Sequence, residues 1–305
     1  MNFFDAIRAR QSGLAVYGLA PPKAQLAAEK VAELVALQVG RLEALQPDAV
    51  IVYDIQDEVG RAGGDRPFPF LPTLDPAAYA RRLDAARAPK IVYRSISQDS
   101  ELDTTTWLTS RSAEPDRAVV LVGAAAAGAA RQSLHAAYDV RARTSPQLPL
   151  GGIAIAERHS RRGDEHTRLL EKMARGCSFF VTQAVYDLNA TKSLLSDYGL
   201  AARRAGLSPA PLLLTFSPCA SVKTLEFMKW LGISVPRWLE NDLTSSPDPL
   251  ATSLTLCEQI FAEVWTYAKA QQVPVGINVE SVSTRKAEID ASVALFHTLR
   301  RLMRS

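Results

Sequence analysis

The chain has 305 residues, 47% hydrophobic and 22% charged, with 16 glycines and 18 prolines, the make-up of an ordinary globular protein long enough to bury a large core. A net charge of +3, spread along the chain, leaves no basic footprint for nucleic acid. Cys177, Cys219 and Cys257 stand far apart, which excludes a CxxC metal clip and a disulfide framework and points to a reducing compartment. The first residues lack the order of a signal peptide, and no run approaches the roughly 18 apolar residues of a membrane span. The expectation is a cytoplasmic protein with no membrane partner.

Eight short apolar or β-branched runs alternate with segments of helical period. The strand candidates are Leu14 to Gly18, Ala49 to Asp54, Lys90 to Ile96, Ala118 to Gly123, Gly152 to Glu157, Ser178 to Gln183, Pro211 to Phe216 and Val273 to Val279. Between them run three-and-four spacings such as Val31, Leu34, Val35, Gln38, Leu42, Leu45, then Leu169, Leu170, Met173, Cys177, and finally Ile289, Val293, Phe296. Each is one apolar stripe for a sheet to cover. This alternation predicts an α/β protein, a (β/α)8 TIM barrel forming one domain over residues 1–305. The rival is an open doubly wound sheet. Its GxGxxG is missing after the first strand, where Gly18-Leu19-Ala20-Pro21-Pro22-Lys23 stands and a helix is expected to open near Lys23.

In such a barrel the chemistry gathers where the strands end. The second strand ends in Tyr53-Asp54-Ile55-Gln56-Asp57-Glu58 and enters a long Gly- and Pro-rich loop, Val59 to Leu74, of a length usual for lids and binding loops. Asp54, Asp57 and Glu58 read either as acid–base groups or cation ligands, or as a solvated acidic turn paired with Arg61 and Arg66. The third strand offers Tyr93 and Arg94, the arginine suited to gripping an anionic ligand or a structural carboxylate. The fourth, Leu121-Val122-Gly123-Ala124, has no side-chain chemistry. The fifth carries Glu157-Arg158-His159, which reads as a ligand-binding Glu and His or as a buried Glu–Arg pair beside an incidental His. The sixth presents Gln183, an amide that both donates and accepts toward a heterocycle edge, and Asp187 reads as the cap of the next helix. The seventh ends in Ser217-Pro218-Cys219, with Cys219 read as a small buried residue. The eighth is Gly276-Ile277-Asn278-Val279-Glu280. His135, His159, His166 and His297 make no metal set by spacing, and no HExxH, Walker loop or GxSxG occurs.

Together these strand ends resemble the methylenetetrahydrofolate reductase family. Leu150-Gly151-Gly152-Ile153-Ala154, Glu157-Arg158-His159 and the stretch from Lys172 to Gln183 are similar to its Gly-Gly strand, its Pro-Glu-x-His strand end and its Lys-x-x-Ala-Gly-Ala-x-Phe-x-x-Thr-Gln segment. Pro21-Pro22-Lys23, Leu225-Glu226-Phe227 and Gly232 to Leu239 add to the match, which spans nearly the whole chain. The resemblance implies a (β/α)8 barrel that passes hydride from NAD(P)H to FAD and on to a folate-bound one-carbon unit, in a homo-oligomer. Gln183 then faces the pterin, with Gln56, Tyr93, Arg94, Asn278 and, after a one-residue slip, Arg285 completing the expected substrate-binding set. Glu157, His159 and Lys172 fall in the flavin region.

The chain also departs from the family. Gly18-Leu19-Ala20 stands where the family has Glu-Phe-Phe, so the catalytic acid is missing. The strand-three His is replaced near Tyr93-Arg94, and the strand-four Leu-Arg-Gly-Asp is Leu121-Val122-Gly123-Ala124. Each ionic donor lost to a flavin costs on the order of 1.5 to 3 kcal/mol. FAD is therefore expected to be weakly held, or bypassed by direct transfer from NAD(P)H. The missing acid is expected from the neighbouring second strand, as Asp54, Asp57 or Glu58. Oxidation of methyltetrahydrofolate, chemistry on another heterocycle, and a non-catalytic folate- or nucleotide-binding role remain the alternatives.

Overall fold

The computed structural model describes residues 2–57, 66–123 and 130–304. A short helix α1 (Phe3–Arg8) precedes β1 (Ala15–Leu19), followed by α2 (Ala28–Leu45), β2 (Ala49–Val52), α3 (Pro76–Arg82), β3 (Lys90–Ser95), α4 (Glu101–Ser112), β4 (Arg117–Val122), α5 (Leu134–Thr144) and β5 (Leu150–Ala154). The second half runs α6 (Ala156–Arg162), α7 (Glu165–Ala174), β6 (Cys177–Ala184), α8 (Leu188–Arg204), β7 (Leu212–Phe216), α9 (Val222–Trp230), α10 (Arg237–Ser245), α11 (Pro249–Gln271), β8 (Val275–Val279) and α12 (Lys286–Leu302). The strands are parallel and close in sequence order into the expected (β/α)8 barrel, β1 pairing with both β2 and β8.

Each strand sends alternate residues to two apolar layers, as its period of two dictates. Val16, Ile51, Ile91, Val120, Phe179, Val181 and Leu213 fill the barrel interior, and Phe3, Ala6 and Ile7 of α1 close its lower end. Tyr17, Val50, Val52, Val92, Leu121 and Phe180 belong to the larger layer between strands and helices. The same alternation carries Gly18, Tyr53, Tyr93, Gln183, Asn278 and Glu280 to the inner face at the carboxyl end. That is where a barrel keeps its site.

Three local expectations are corrected. No helix opens at Lys23, which instead bridges to Thr73, and α2 begins only at Ala28. The fifth strand does not extend to Glu157. It stops at Ala154, and Glu157 and His159 ride on α6. Cys177 opens β6 rather than closing the helix before it. The Gly-Gly run of β5 meets a need for space, since a methyl on Gly151 would lie 2.5 Å from the Phe179 ring. Cys219 is buried, its thiol pushed up to about 11 by desolvation. Asp187 caps α8 by accepting from the Ala190 N–H at 3.0 Å.

Candidate functional site

A chain of hydrogen bonds crosses the floor of the barrel mouth. Thr215 on β7 donates its hydroxyl to the Thr182 carbonyl on β6 at 2.7 Å. The amide of Asn278 on β8 then donates to Thr215 Oγ1 at 3.0 Å and to the Tyr53 hydroxyl, beyond the end of β2, at 2.7 Å. Glu280, just past β8, lies close enough to Tyr53 to hold its phenol higher. The Tyr93 ring meets that of Tyr53 edge-on, with centroids 5.0 Å apart. Gly18 completes the floor by having no side chain. A Cβ there would come within 2.8 Å of the Tyr53 ring and 3.0 Å of Asn278 Oδ1.

This floor controls charge. Desolvation pushes the Glu280 carboxyl up to about 7, with the nearby Tyr53 hydroxyl opposing the rise. Desolvation also holds the Tyr53 and Tyr93 phenols well above their usual value, and the nearby Glu280 raises both further. A carboxyl that keeps its proton near neutrality is the state required of a general acid.

Two of the second-strand acids can be placed. Asp54 accepts from the Ser95 N–H and from Gln56, both at 2.7 Å, and so ties the end of β2 to β3. Desolvation raises its pKa while both bonds oppose the rise. Asp57 is exposed and lies 3.8 Å from Arg66, and Glu58 falls outside the described residues. Arg94 forks onto Asp99 with contacts of 2.8 and 2.9 Å, which is the structural-carboxylate reading of that residue. Arg285 is exposed at the start of α12.

Gln183 and Glu157 come together, lining one small hollow with Thr182 and Asp187. The Gln183 amide donates to the Leu231 carbonyl at 3.1 Å, which ties the end of α9 to the mouth. The Glu157 carboxylate accepts from the Ser234 N–H, and burial raises its pKa. His159 pairs with Asp197 of α8 at 3.0 Å, and Lys172 donates to the Ile153 carbonyl at 2.5 Å. Neither of these two joins the floor network.

Two groups escaped the sequence reading. Glu280 is the first, although Gly276, Asn278 and Glu280 alternate along one face of β8, and that period was the available signal. The second is an aromatic box on the rim, where the Arg66 guanidinium lies 5.0 Å from the Trp230 ring centre, 5.2 Å from Phe70 and 5.6 Å from Phe227. Among the described residues its Nε and Nη1 are buried without a hydrogen-bond partner. No spacing in the sequence links a loop after the second strand to a helix after the seventh.

No family model matches the chain, and no curated protein is similar to it. Among solved structures, an uncharacterized protein from Clostridium thermocellum that binds two copies of 5-methyl-5,6,7,8-tetrahydrofolic acid is 39% identical. Its TM-score is 0.87, over 98% of this chain and 99% of that one. Tryptophan synthase from M. tuberculosis, in an open form with BRD0059 bound, is 12% identical with a TM-score of 0.52, over 99% of this chain and 97% of that one. That likeness shows a shared fold alone. The Clostridium thermocellum protein is a relative over nearly all of both chains, and this protein belongs to its family.

Proposed function

We propose that the barrel mouth binds a reduced folate and that the protein transfers hydride between NAD(P)H and a one-carbon unit carried on that folate. The observation that carries this reading is the 5-methyltetrahydrofolic acid bound by a relative of 39% identity. The mouth supports it. Gln183, Asn278 and the Tyr53–Tyr93 pair offer an amide edge and aromatic faces for a pterin. The Arg66 box offers ring faces and guanidinium donors that have no hydrogen-bond partner among the described residues, for a tail made of a benzoyl ring and carboxylates. The motifs shared with the methylenetetrahydrofolate reductase family support the redox part.

The proposed reaction uses no FAD, a reading supported by the internal partners that the three residues expected at a flavin already have. His159 is held by Asp197, Lys172 by the Ile153 carbonyl, and Glu157 by the Ser234 N–H. Hydride then passes directly between the two substrates. The nicotinamide supplies both electrons, and the barrel supplies alignment and a site shielded from water.

Calorimetric titration with 5-methyltetrahydrofolate tests the binding half. Saturable binding is expected, and Gln183→Ala is expected to weaken it roughly five- to tenfold, the loss of about 1 kcal/mol from one hydrogen bond. A wild-type titration that shows no saturation up to millimolar ligand contradicts the reading.

A further inference from the structure

We infer that His159, His166 and Asp197 form a binding site for a divalent transition-metal ion of the zinc class, set among the helices around the barrel. The site stands apart from the floor network and needs no folate. The turn between α6 and α7 builds it. Gly163 ends α6 in the left-handed conformation, at φ 69°, which glycine adopts without steric cost, and α7 opens directly afterwards at Glu165. His159 in the last turn of α6 and His166 in the first turn of α7 are thereby folded toward each other, with ring centres 5.4 Å apart. Asp197 comes from α8, which packs on both helices. One atom from each of the three side chains lies within 4.8 Å of the other two. Sequence spacing hides the set, because its third member arrives only when α8 folds back over the turn.

Two imidazole nitrogens and one carboxylate oxygen suit zinc, cobalt or nickel, whereas magnesium and calcium take oxygen ligands. Ligand atoms on one tetrahedral ion, each bonded at about 2.0 to 2.1 Å, stand about 3.3 Å apart. His159 Nε2 and Asp197 Oδ2 are already 3.0 Å apart. Closing the set asks only that the partly exposed His166 swing inward at the start of its helix. The half-exposed Asp197 leaves a fourth coordination position open to water.

A plain His–Asp pair accounts for His159 and Asp197 and leaves His166 without a role. His159 is 4% exposed, and among the described residues Nδ1 of both histidines is buried with no hydrogen-bond partner. Each ring thus carries a buried polar atom that the protein leaves unmet, which is costly for a fold that gains nothing by it. The charges nearby also favour a cation. Arg158 is taken by Glu165 and Arg168 by Asp164. Among the described residues no lysine or arginine pairs with Asp197, whose ion-pair partner is His159. An incoming ion therefore meets a carboxylate with no cationic competitor. Once bound, it ties α6 and α7 to α8 and adds to the stability of the folded state.

The test titrates the untagged, chelator-treated full chain with zinc chloride and, separately, with magnesium chloride, in wild type, His166→Gln and Asp197→Asn. Asp197→Asn loses the charge but keeps an oxygen for His159, and His166→Gln changes a partly exposed position, so both are expected to keep the wild-type circular dichroism. Calorimetry of wild type is expected to show one zinc ion per chain and no magnesium, with Tm rising as zinc is added. Cobalt in place of zinc is expected to give the visible absorption of an ion held by nitrogen and oxygen. Each substitution removes a direct ligand and is expected to weaken zinc binding by about 10- to 100-fold or more, at least the loss that follows removal of an outer-shell partner. Wild type without saturable zinc binding at millimolar metal overturns the assignment. Zinc binding that keeps wild-type affinity in both variants, or magnesium bound as tightly as zinc, overturns it as well.

Discussion

Gly18→Ala is expected to weaken 5-methyltetrahydrofolate binding by about tenfold or more while the barrel still folds. The added Cβ would sit 2.8 Å from the Tyr53 ring, 2.9 Å from its hydroxyl and 3.0 Å from Asn278 Oδ1. Real Cβ atoms do not approach carbon so closely, and overpacking of this kind costs about 1 to 3 kcal/mol. The strain falls on the end of a tyrosine at the mouth rather than on strand backbone, so Tyr53 moves. Its bond from Asn278 loosens as it does. Circular dichroism reports the fold and calorimetry the affinity. Wild-type affinity in Gly18→Ala would show that the position of Tyr53 is immaterial to the ligand. The same geometry explains why the acid of the resembling family is absent here. A glutamate at position 18 would collide with the tyrosine and the asparagine that now fill that corner.

Glu280→Gln is expected to make the protein more stable at pH 8 and to change little at pH 5. The folded state holds the Glu280 proton up to about pH 7, whereas an unfolded glutamate releases it near pH 4.3. Between those values the native state binds more protons than the unfolded state, so wild-type stability falls as pH rises through the window. A glutamine has no proton to lose and escapes that fall. Undiminished by solvent, the shift would be worth about 3.7 kcal/mol. Solvent reaches this half-buried carboxyl, which brings the expected gain at pH 8 to about 1 to 2 kcal/mol, or a few degrees in Tm. Urea unfolding of both proteins at the two pH values measures it. Identical differences at pH 5 and pH 8 would mean that Glu280 ionises normally.

The barrel was legible in the sequence because each strand is a short apolar run with punctuation on both sides, and the register of eight such runs needs no long-range information. Element ends were less legible where one residue type serves two purposes. Ile153, Ala154 and Ile155 continue an apolar run, yet the chain turns into α6 after Ala154, which moves Glu157 and His159 onto a helix. Arg94 was readable only as two alternatives, and the carboxylate that decides between them, Asp99, lies just before α4. A closed barrel gives β1 a second neighbour, β8, whose last residue Val279 is followed by Glu280. Asp54 could not be separated from Glu280 by composition, because what differs is the surroundings: desolvation raises both, but two hydrogen bonds, from the Ser95 N–H and from Gln56, oppose it at Asp54.

The central claim, folate redox at the barrel mouth without flavin, is tested most directly by product analysis. The purified protein, with no flavin added, is incubated with 5,10-methylenetetrahydrofolate and NADH or NADPH, and the folates are separated by chromatography. The account expects 5-methyltetrahydrofolate to appear in equal amount to the nicotinamide oxidised. Nicotinamide that stays reduced with either cofactor, and folate that stays unchanged, would contradict it.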